Sequence, residues 1–450
     1  MFVGIDFGTS NSSIGVFHDD QLRLFNLDPH HHNPNVLPST IYITKEQDKF
    51  VGAQAIQMYL EQETGRIPFW ETRELGDIEI TVGGPGSGPI VYNQRITMEV
   101  DTAANGRLLQ SIKTALFDDQ YKGTQIFEKY YTIEELIAIL LTQLRERCEN
   151  ALGQPVRDVV MGRPVKFSDN PDIDQKSQEK LYNAALMAGF KNIVFELEPI
   201  GGAYLYHQNQ PTRQHILVFD FGGGTLDMTI MEVGAGAKPK TIATEGVIVG
   251  GDDLTAAIMK RLFRFFGEDA LMPDGLPFPK QIFDMLYSWQ NMVELSRPKY
   301  AYIFRQAVNS SDPFGAQRLE TLVKNKLGFK LFQELERIKI DLSSNYFSRL
   351  IFKESHLSLS DVIMRTHFES LIQDELDMVD KSIQEILRKS GLKADQIQAV
   401  LRTGGSSEIP VFIDVLSKYF GQDRIKEINP FTTIVGGLAL KGHELSTIGN

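Results

Sequence analysis

The apolar positions of this chain fall into two rhythms. Short β-branched and aromatic runs at 2–5, 14–17, 156–165, 193–197, 216–219 and 398–402 read as strands, and 226–230 alternates apolar with polar residues. Stretches that repeat every three to four residues predict helices at 108–117, 132–149, 175–188, 199–206, 254–266, 330–345 and 410–420, and a long interrupted one from a Ser360 cap to Ser390. Within 132–149, Thr132 and Glu135 form a capping box, and Leu136, Leu140, Leu144 and Cys148 continue one apolar stripe, which makes Cys148 a core residue. Residues 22–43 mix strand and loop, and 64–105 look like a peripheral insertion whose hairpin tip is Gly83-Gly84-Pro85-Gly86-Ser87-Gly88-Pro89. Residues 267–328, rich in prolines and aromatics, fix no order. A last element starts near Pro430 and contains Gly436-Gly437, and ten residues follow Leu440.

Two places interrupt the strand pattern in the same way. The run Ile216-Leu217-Val218-Phe219 ends in Asp220-Phe221-Gly222-Gly223-Gly224-Thr225 and resumes as Leu226-Asp227-Met228-Thr229-Ile230. Phe2-Val3-Gly4-Ile5-Asp6-Phe7-Gly8-Thr9-Ser10-Asn11 followed by 12–17 repeats that plan near the start of the chain. Glycines let backbone N–H groups converge on an anion of phosphate size, and carboxylates beside such a nest imply a cation. Magnesium suits this setting, because one or two carboxylates plus substrate phosphates usually hold it. A tight hairpin with solvated acids is the alternative. Two copies, one opening each half, suggest a duplicated fold that clamps one ligand. Neither is a Walker A loop, since no Gly-Lys-Ser/Thr is present and a strand follows, and the Rossmann fingerprint fails likewise.

Other candidates surround these turns. Thr403-Gly404-Gly405-Ser406-Ser407 is a third glycine turn between strand and helix, and Gly250-Gly251-Asp252-Asp253 opens a helix N-terminus able to face an anion. Glu198 stands at a strand-to-helix junction. Lys113 sits among apolar residues, where a lysine can simply snorkel. Glu336, Lys339 and Ser343 share a helix face and, taken alone, read as a solvated stripe. His30-His31-His32 lack a matching cluster that would make them a metal site.

Bulk properties narrow the class. The 450 residues can hold about two to four domains. A formal charge of −12 without a basic run argues against nucleic acid as partner, and no apolar run approaches a membrane helix. A strand beginning at residue 2 leaves no room for a signal peptide, and the lone Cys148 excludes an internal disulfide. A cytoplasmic address is expected.

With these pieces placed, the chain resembles the ATPase domain of the DnaK-type heat-shock chaperones, within the actin and sugar-kinase superfamily. Five segments match that family's signatures in order, across nearly the whole chain. Residues 4–12 and 218–227 look like its two phosphate motifs, 198–203 and 429–437 like its two connecting motifs, and 404–410 like its adenosine motif. The resemblance implies an α/β, duplicated actin-like ATPase fold, two lobes each with a mixed five-stranded sheet and flanking helices. It implies a first lobe of 1–211, with core 1–37 and 125–211 and insertion 38–124. The second lobe would be 212–440, with core 212–249 and 373–440 and insertion 250–372, and 441–450 would be a tail.

The resemblance also implies site roles, with ATP/ADP and Mg²⁺ as cofactors. Asp6 and Asp220 match the acids that hold hydrated magnesium, Thr9 and Thr225 the hydroxyls on phosphate. Gly8, Ser10, Asn11, Gly222, Gly223, Gly224, Gly250, Gly251, Gly404, Gly405 and Ser406 fall in nucleotide-binding turns. Glu198 and Asp227 match acids that position metal and attacking water, Lys113 the lysine that steadies water and terminal phosphate, and Pro164 a proline of the nucleotide switch. Glu336, Lys339 and Ser343 match the nucleoside-contacting Glu, Lys and Ser, which displaces the solvated-stripe reading.

Departures from the family pattern bear on the base. Ile340 and Glu408 stand where two arginines stack the adenine, a loss of about 1 to 3 kcal/mol of cation–π contact. Phe431 replaces an expected acid, and Gln178 stands near an expected interdomain arginine. The apolar linker and peptide-binding domain of the family are not found, so no intrinsic hold on client peptide is expected. The leading expectation is a slow Mg-dependent ATPase that acts as a nucleotide-controlled switch for an unidentified protein partner. Its rivals are a non-hydrolysing nucleotide sensor or co-chaperone and a small-molecule kinase of the same superfamily.

Overall fold

Two sheets repeat one topology. In the first, Gln21–Leu24, Asn11–His18 and Phe2–Phe7 form an antiparallel meander, and Asp158–Arg163 and Asn192–Leu197 add in parallel beyond it; a two-residue strand, Leu37–Pro38, joins the side. In the second, Lys240–Val247, Leu226–Val233 and Gln214–Phe221 form the meander, and Ala399–Thr403 and Ile425–Glu427 are the parallel additions. This is a computed structural model. It describes residues 1–18, 21–84, 87–208, 210–236, 239–354, 356–428 and 430–448, with backbone alone for 75–96, 98, 205, 208, 430, 431 and 448. Pro85 and Gly86 of the expected hairpin tip and Asn429 of the second connecting motif lie outside the described residues.

The duplication extends to register. Phe7 pairs with Ser12 and Asp6 with Ser13; Phe221 pairs with Leu226 and Asp220 with Asp227. Both turns therefore hold four residues between their last paired positions, 8–11 and 222–225.

Each sheet packs helices on both faces. The helix Ile133–Leu152, closed by the Thr132/Glu135 capping box, buries Leu136, Leu140, Leu144 and Cys148 against Val3, Ile5 and Ile14 of the first sheet. On the inner faces the two lobes exchange helices. Glu198–Gln208 carries Ala203 onto Ile216, Val218, Met231 and Leu401 of the second sheet, whereas Pro430–Ile448 carries Ile434 and Leu438 onto Val160 of the first. The two helices cross at glycines. A Cβ built on Gly437 would lie 1.8 Å from Gly201 O, so the backbones touch and no side chain fits. Residues 441–448, expected as a tail, are the last turns of this helix.

Several elements differ from the sequence pattern. Residues 357–364 form a strand, not the start of a helix. Phe347–Glu354 and Leu357–Met364 pair as a hairpin, with Ser348, Leu350, Phe352, Leu357, Leu359 and Ile363 inward in a period of two, and Ser360 faces out opposite Ile351. The helices Arg365–Leu371 and Gln373–Ser390 follow. Residues 108–117 divide into the strand Gly106–Gln110 and a single 3₁₀ turn, Ile112–Leu116, because Leu108 and Leu109 pair with Tyr42 and Ile41. Asn170 caps a helix that begins at Pro171, earlier than the apolar stripe alone indicates. Residues 267–328 contain the helices Lys280–Asp284, Trp289–Glu294, Pro298–Ala307 and Pro313–Lys324. The three histidines lie in a turn where His31 folds back onto Asn33 O.

Across the cleft the two insertions meet in a buried seam. Tyr59 lies 5.7 Å from Trp289 and 5.3 Å from Phe329, ring centre to ring centre. Lys326 Nζ donates to Glu63 Oε2 at 3.2 Å and Asp101 Oδ2 at 2.9 Å, both carboxylates also engaging Arg66, and all of these groups are largely buried. Both tryptophans of the chain sit here, Trp70 beneath Arg297 and Trp289 donating to Gln110 Oε1. Removing one partner of a buried ion pair costs about 3 to 5 kcal/mol. Lys326→Ala is therefore expected to part the seam and shift tryptophan emission to longer wavelength while far-ultraviolet circular dichroism is retained. Unchanged emission would show that the ion network does not hold the seam.

Candidate functional site

The two duplicated turns face one another. A Cβ built on Gly223 would lie 2.3 Å from Ser10 Oγ, and one on Gly224 would lie 3.0 Å from Thr9 Oγ1. Asp6 and Asp220 are the penultimate residues of the first strand of each hairpin, and antiparallel pairing puts Asp227 directly opposite Asp220 on one face. Lys113 comes from the 3₁₀ turn of the first insertion and is only 3% exposed. Its Nζ donates to Glu198 Oε1 at 2.6 Å, across 85 positions of sequence. Lys113 therefore does not snorkel.

The charge balance is lopsided. Glu198, Asp220 and Asp227 are buried and Asp6 is half-buried, with Lys113 the cation among them. Burial, then Glu198, pushes the Asp6 carboxyl up to about 7 against the pull of Lys113. Burial, then Glu198, pushes Asp227 up to about 6, although it accepts a 2.8 Å bond from Val165 N–H. Asp220 is driven well above the usual carboxylate range by burial, then by Glu198, Asp227 and Asp6. Burial disfavours the Lys113 ammonium, but Glu198 and then Asp6 outweigh it and raise its pKa. Like charges gathered in a poorly solvated place fit a cation.

Among the described residues no three Asp, Glu, His or Cys side chains form a ready metal cage. Asp6 and Asp220, at matching places in the two hairpins, fit magnesium instead, which takes few protein carboxylates and completes its shell with waters and phosphate oxygens.

A second group lies beside the turns. Gly251 N and Asp252 N, opening the helix Gly251–Leu262, donate to Gly222 O and Gly223 O. Lys339 Nζ donates to Gly251 O at 2.9 Å and pairs with Glu336 at 2.7 Å, while Thr255 Oγ1 donates to Glu336 Oε2. Ser406 Oγ donates to Gly222 O at 3.0 Å. Gly404, at φ +80°, lets the third turn close on Phe221 O, where a Cβ would lie at 2.3 Å. Glu336, Lys339, Gly250, Gly251, Gly404, Gly405 and Ser406 are thus assembled around the second hairpin turn. Ser343 Oγ instead donates to Lys339 O of its own helix. Ile340 is 61% exposed and Glu408 is exposed.

Three partners escaped the sequence reading. Ser111 Oγ donates to Asp252 Oδ2 at 3.1 Å, tying the first insertion to the second lobe. Burial lifts Asp252 to about 6. Arg402, buried behind the third turn, donates to Ser407 O at 2.6 Å. Val165 N–H, from the residue after Pro164, reaches Asp227 across the lobes. An acid in the first turn of a helix was the one local signal, at Asp252.

Duplicated meanders, exchanged inner helices and facing glycine turns define the actin-like, two-lobed α/β class. A model of the Hsp70 protein family matches residues 99–272 and 314–448, more than half of the sequence, and the chain belongs to that family. Chaperone protein DnaK of Thermosipho melanesiensis is 27% identical over 365 residues, covering 81% of this chain and 51% of that protein. Chaperone protein DnaK of Thermosipho africanus matches to the same extent. The chain spans about half the length of these curated relatives. Among the described residues no helix is long and apolar enough to cross a membrane.

The raised carboxylates carry a sign for stability. An acid whose folded pKa exceeds its ordinary value of 3.8 holds its proton more tightly when folded, so stability is lost as pH rises through the folded value. Without divalent cation, unfolding free energy is expected to fall by about 1 to 3 kcal/mol between pH 6 and pH 8. Asp220→Asn should flatten this slope and raise the urea midpoint at pH 8. A variant as pH-sensitive as the parent would contradict the repulsion described.

Proposed function

We propose that this chain is a magnesium-dependent, ATP-binding switch of the Hsp70 family, a slow ATPase whose lobes close on nucleotide and whose state a partner protein reads. The observation that carries it is the pair of duplicated glycine turns facing each other across four carboxylates and one lysine. Backbone N–H groups of 8–11 and 222–225, with the Thr9 and Thr225 hydroxyls, would cradle the phosphates. Asp6 and Asp220 would hold magnesium through its waters, and the ion would neutralise charge on the phosphates. Lys113, fixed by Glu198, would steady the attacking water and the terminal phosphate, and Asp227, fixed by Val165 N–H, would orient that water. Phosphoryl transfer asks for positioning and charge neutralisation, which these groups supply. Gly250, Gly251, Glu336, Lys339, Gly404, Gly405 and Ser406 would flank the nucleoside, with Ser343 turning from its helix carbonyl to join them. The relatives are chaperones by name, which supports a protein partner as readout, and the single buried cysteine supports a cytoplasmic address.

A nucleotide sensor without hydrolysis is the second reading. Ile340 and Glu408, exposed beside the nucleoside helix and third turn, offer no guanidinium plane to the base.

Single-turnover phosphate release separates the two. Lys113→Ala is expected to slow release by on the order of 10² to 10³, as loss of other charge-stabilising donors does, while nucleotide still binds. Tight binding with no release from either protein would favour the sensor, and equal release from both would remove Lys113 from the mechanism.

A further inference from the structure

One buried hydroxyl beside the carboxylates has no structural task. Thr403 ends the strand Ala399–Thr403, in which Ala399, Val400 and Leu401 are apolar and Arg402 is charged, all of them buried. It is the Cα partner of Asp220, which is itself the partner of Asp227, so the three stand in one row across three strands. The next row inward is Leu401, Val218 and Thr229, and Leu401 and Val218 pack with Ala203 of the inner helix. Strand alternation thus places Thr403 on the face that carries both aspartates. Its side chain is on a residue 1% exposed, and Oγ1 has no hydrogen-bond partner among the described residues.

A buried hydroxyl left unbonded destabilises the fold, and valine would fill the same volume without that cost. A threonine in this place is explained by something it bonds. Its hydroxyl offers one donor and two acceptor sites. Magnesium held by few carboxylates keeps waters whose hydrogens need acceptors. We propose that Thr403 is a positioning residue of this site, its hydroxyl bonding the water shell of the cation that Asp6 and Asp220 hold. This rests on the magnesium–nucleotide reading above and adds to it a group from the third strand of the second lobe. Outer-shell partners of this kind orient a metal's ligands, and their removal weakens metal affinity about 10- to 100-fold.

Thr229 is the internal control. It is also fully buried with an unbonded hydroxyl on the same face, but it lies one row away from the turn, beside Val218. The experiment titrates Mg²⁺ at fixed ADP, reading thermal midpoint and calorimetric heat, for the parent, Thr403→Val, Thr403→Ala, Thr403→Ser and Thr229→Val. In Thr403→Val and Thr403→Ala the half-saturating Mg²⁺ concentration should rise about 10- to 100-fold. Thr403→Ser should stay near the parent, and Thr229→Val should keep the parent's Mg²⁺ dependence. Without Mg²⁺, both valine variants should melt at or above the parent's temperature. Parental Mg²⁺ dependence in Thr403→Val or Thr403→Ala overturns the role of Thr403 alone. ADP binding by the parent that ignores Mg²⁺ overturns the metal reading, and this inference with it.

Discussion

Repulsion among Asp6, Glu198, Asp220 and Asp227 is the constraint on which the rest of the structure depends. Lys113 is the ammonium bonded to one of them, and three of the four carboxyls are driven above their ordinary range. A fold selected for stability alone would not place Asp220 opposite Asp227 on a buried sheet face. That arrangement is tolerable beside a cation, and without one these carboxylates are the weak point of the molecule.

The rest of the fold holds these groups at the meeting of two lobes. Each lobe contributes one hairpin, one acid at the penultimate position of its first strand and one four-residue turn. The exchanged inner helices, touching at Gly201 and Gly437, join the sheets through a contact with no side chain between them. At the far end of the cleft the seam of Tyr59, Trp289, Phe329 and Lys326 opposes opening. Ser111 on Asp252, and Val165 on Asp227, bond between the lobes, the second of them to one of the four carboxylates.

How much of this the sequence carried depends on the range of each signal. The hairpins were legible because Asp220, three glycines and alternation at 226–230 are local, and the Ile133–Leu152 helix because its cap and stripe are local. Membership in the Hsp70 family, and with it the two-lobed fold, was legible because its motifs are contiguous. Ser360 misled because serine suits both a cap and the outer face of a strand, and its strand partner, Ile351, lies in a run whose period of two went unread. Lys113 looked like a snorkelling residue because its partner Glu198 is 85 positions away. Ser111 and Asp252, 141 positions apart, and Thr403, unremarkable as the last residue of a strand, acquire meaning only when the sheets are assembled.

The most direct test of the central claim is to locate the cation. Manganese can stand in for magnesium, so a crystal grown with Mn²⁺ and ADP should give an anomalous difference peak between Asp6 and Asp220, beside the phosphates. ADP bound between the lobes with no peak there, or with the ion held away from both aspartates, would contradict the claim that these carboxylates are gathered to hold a metal.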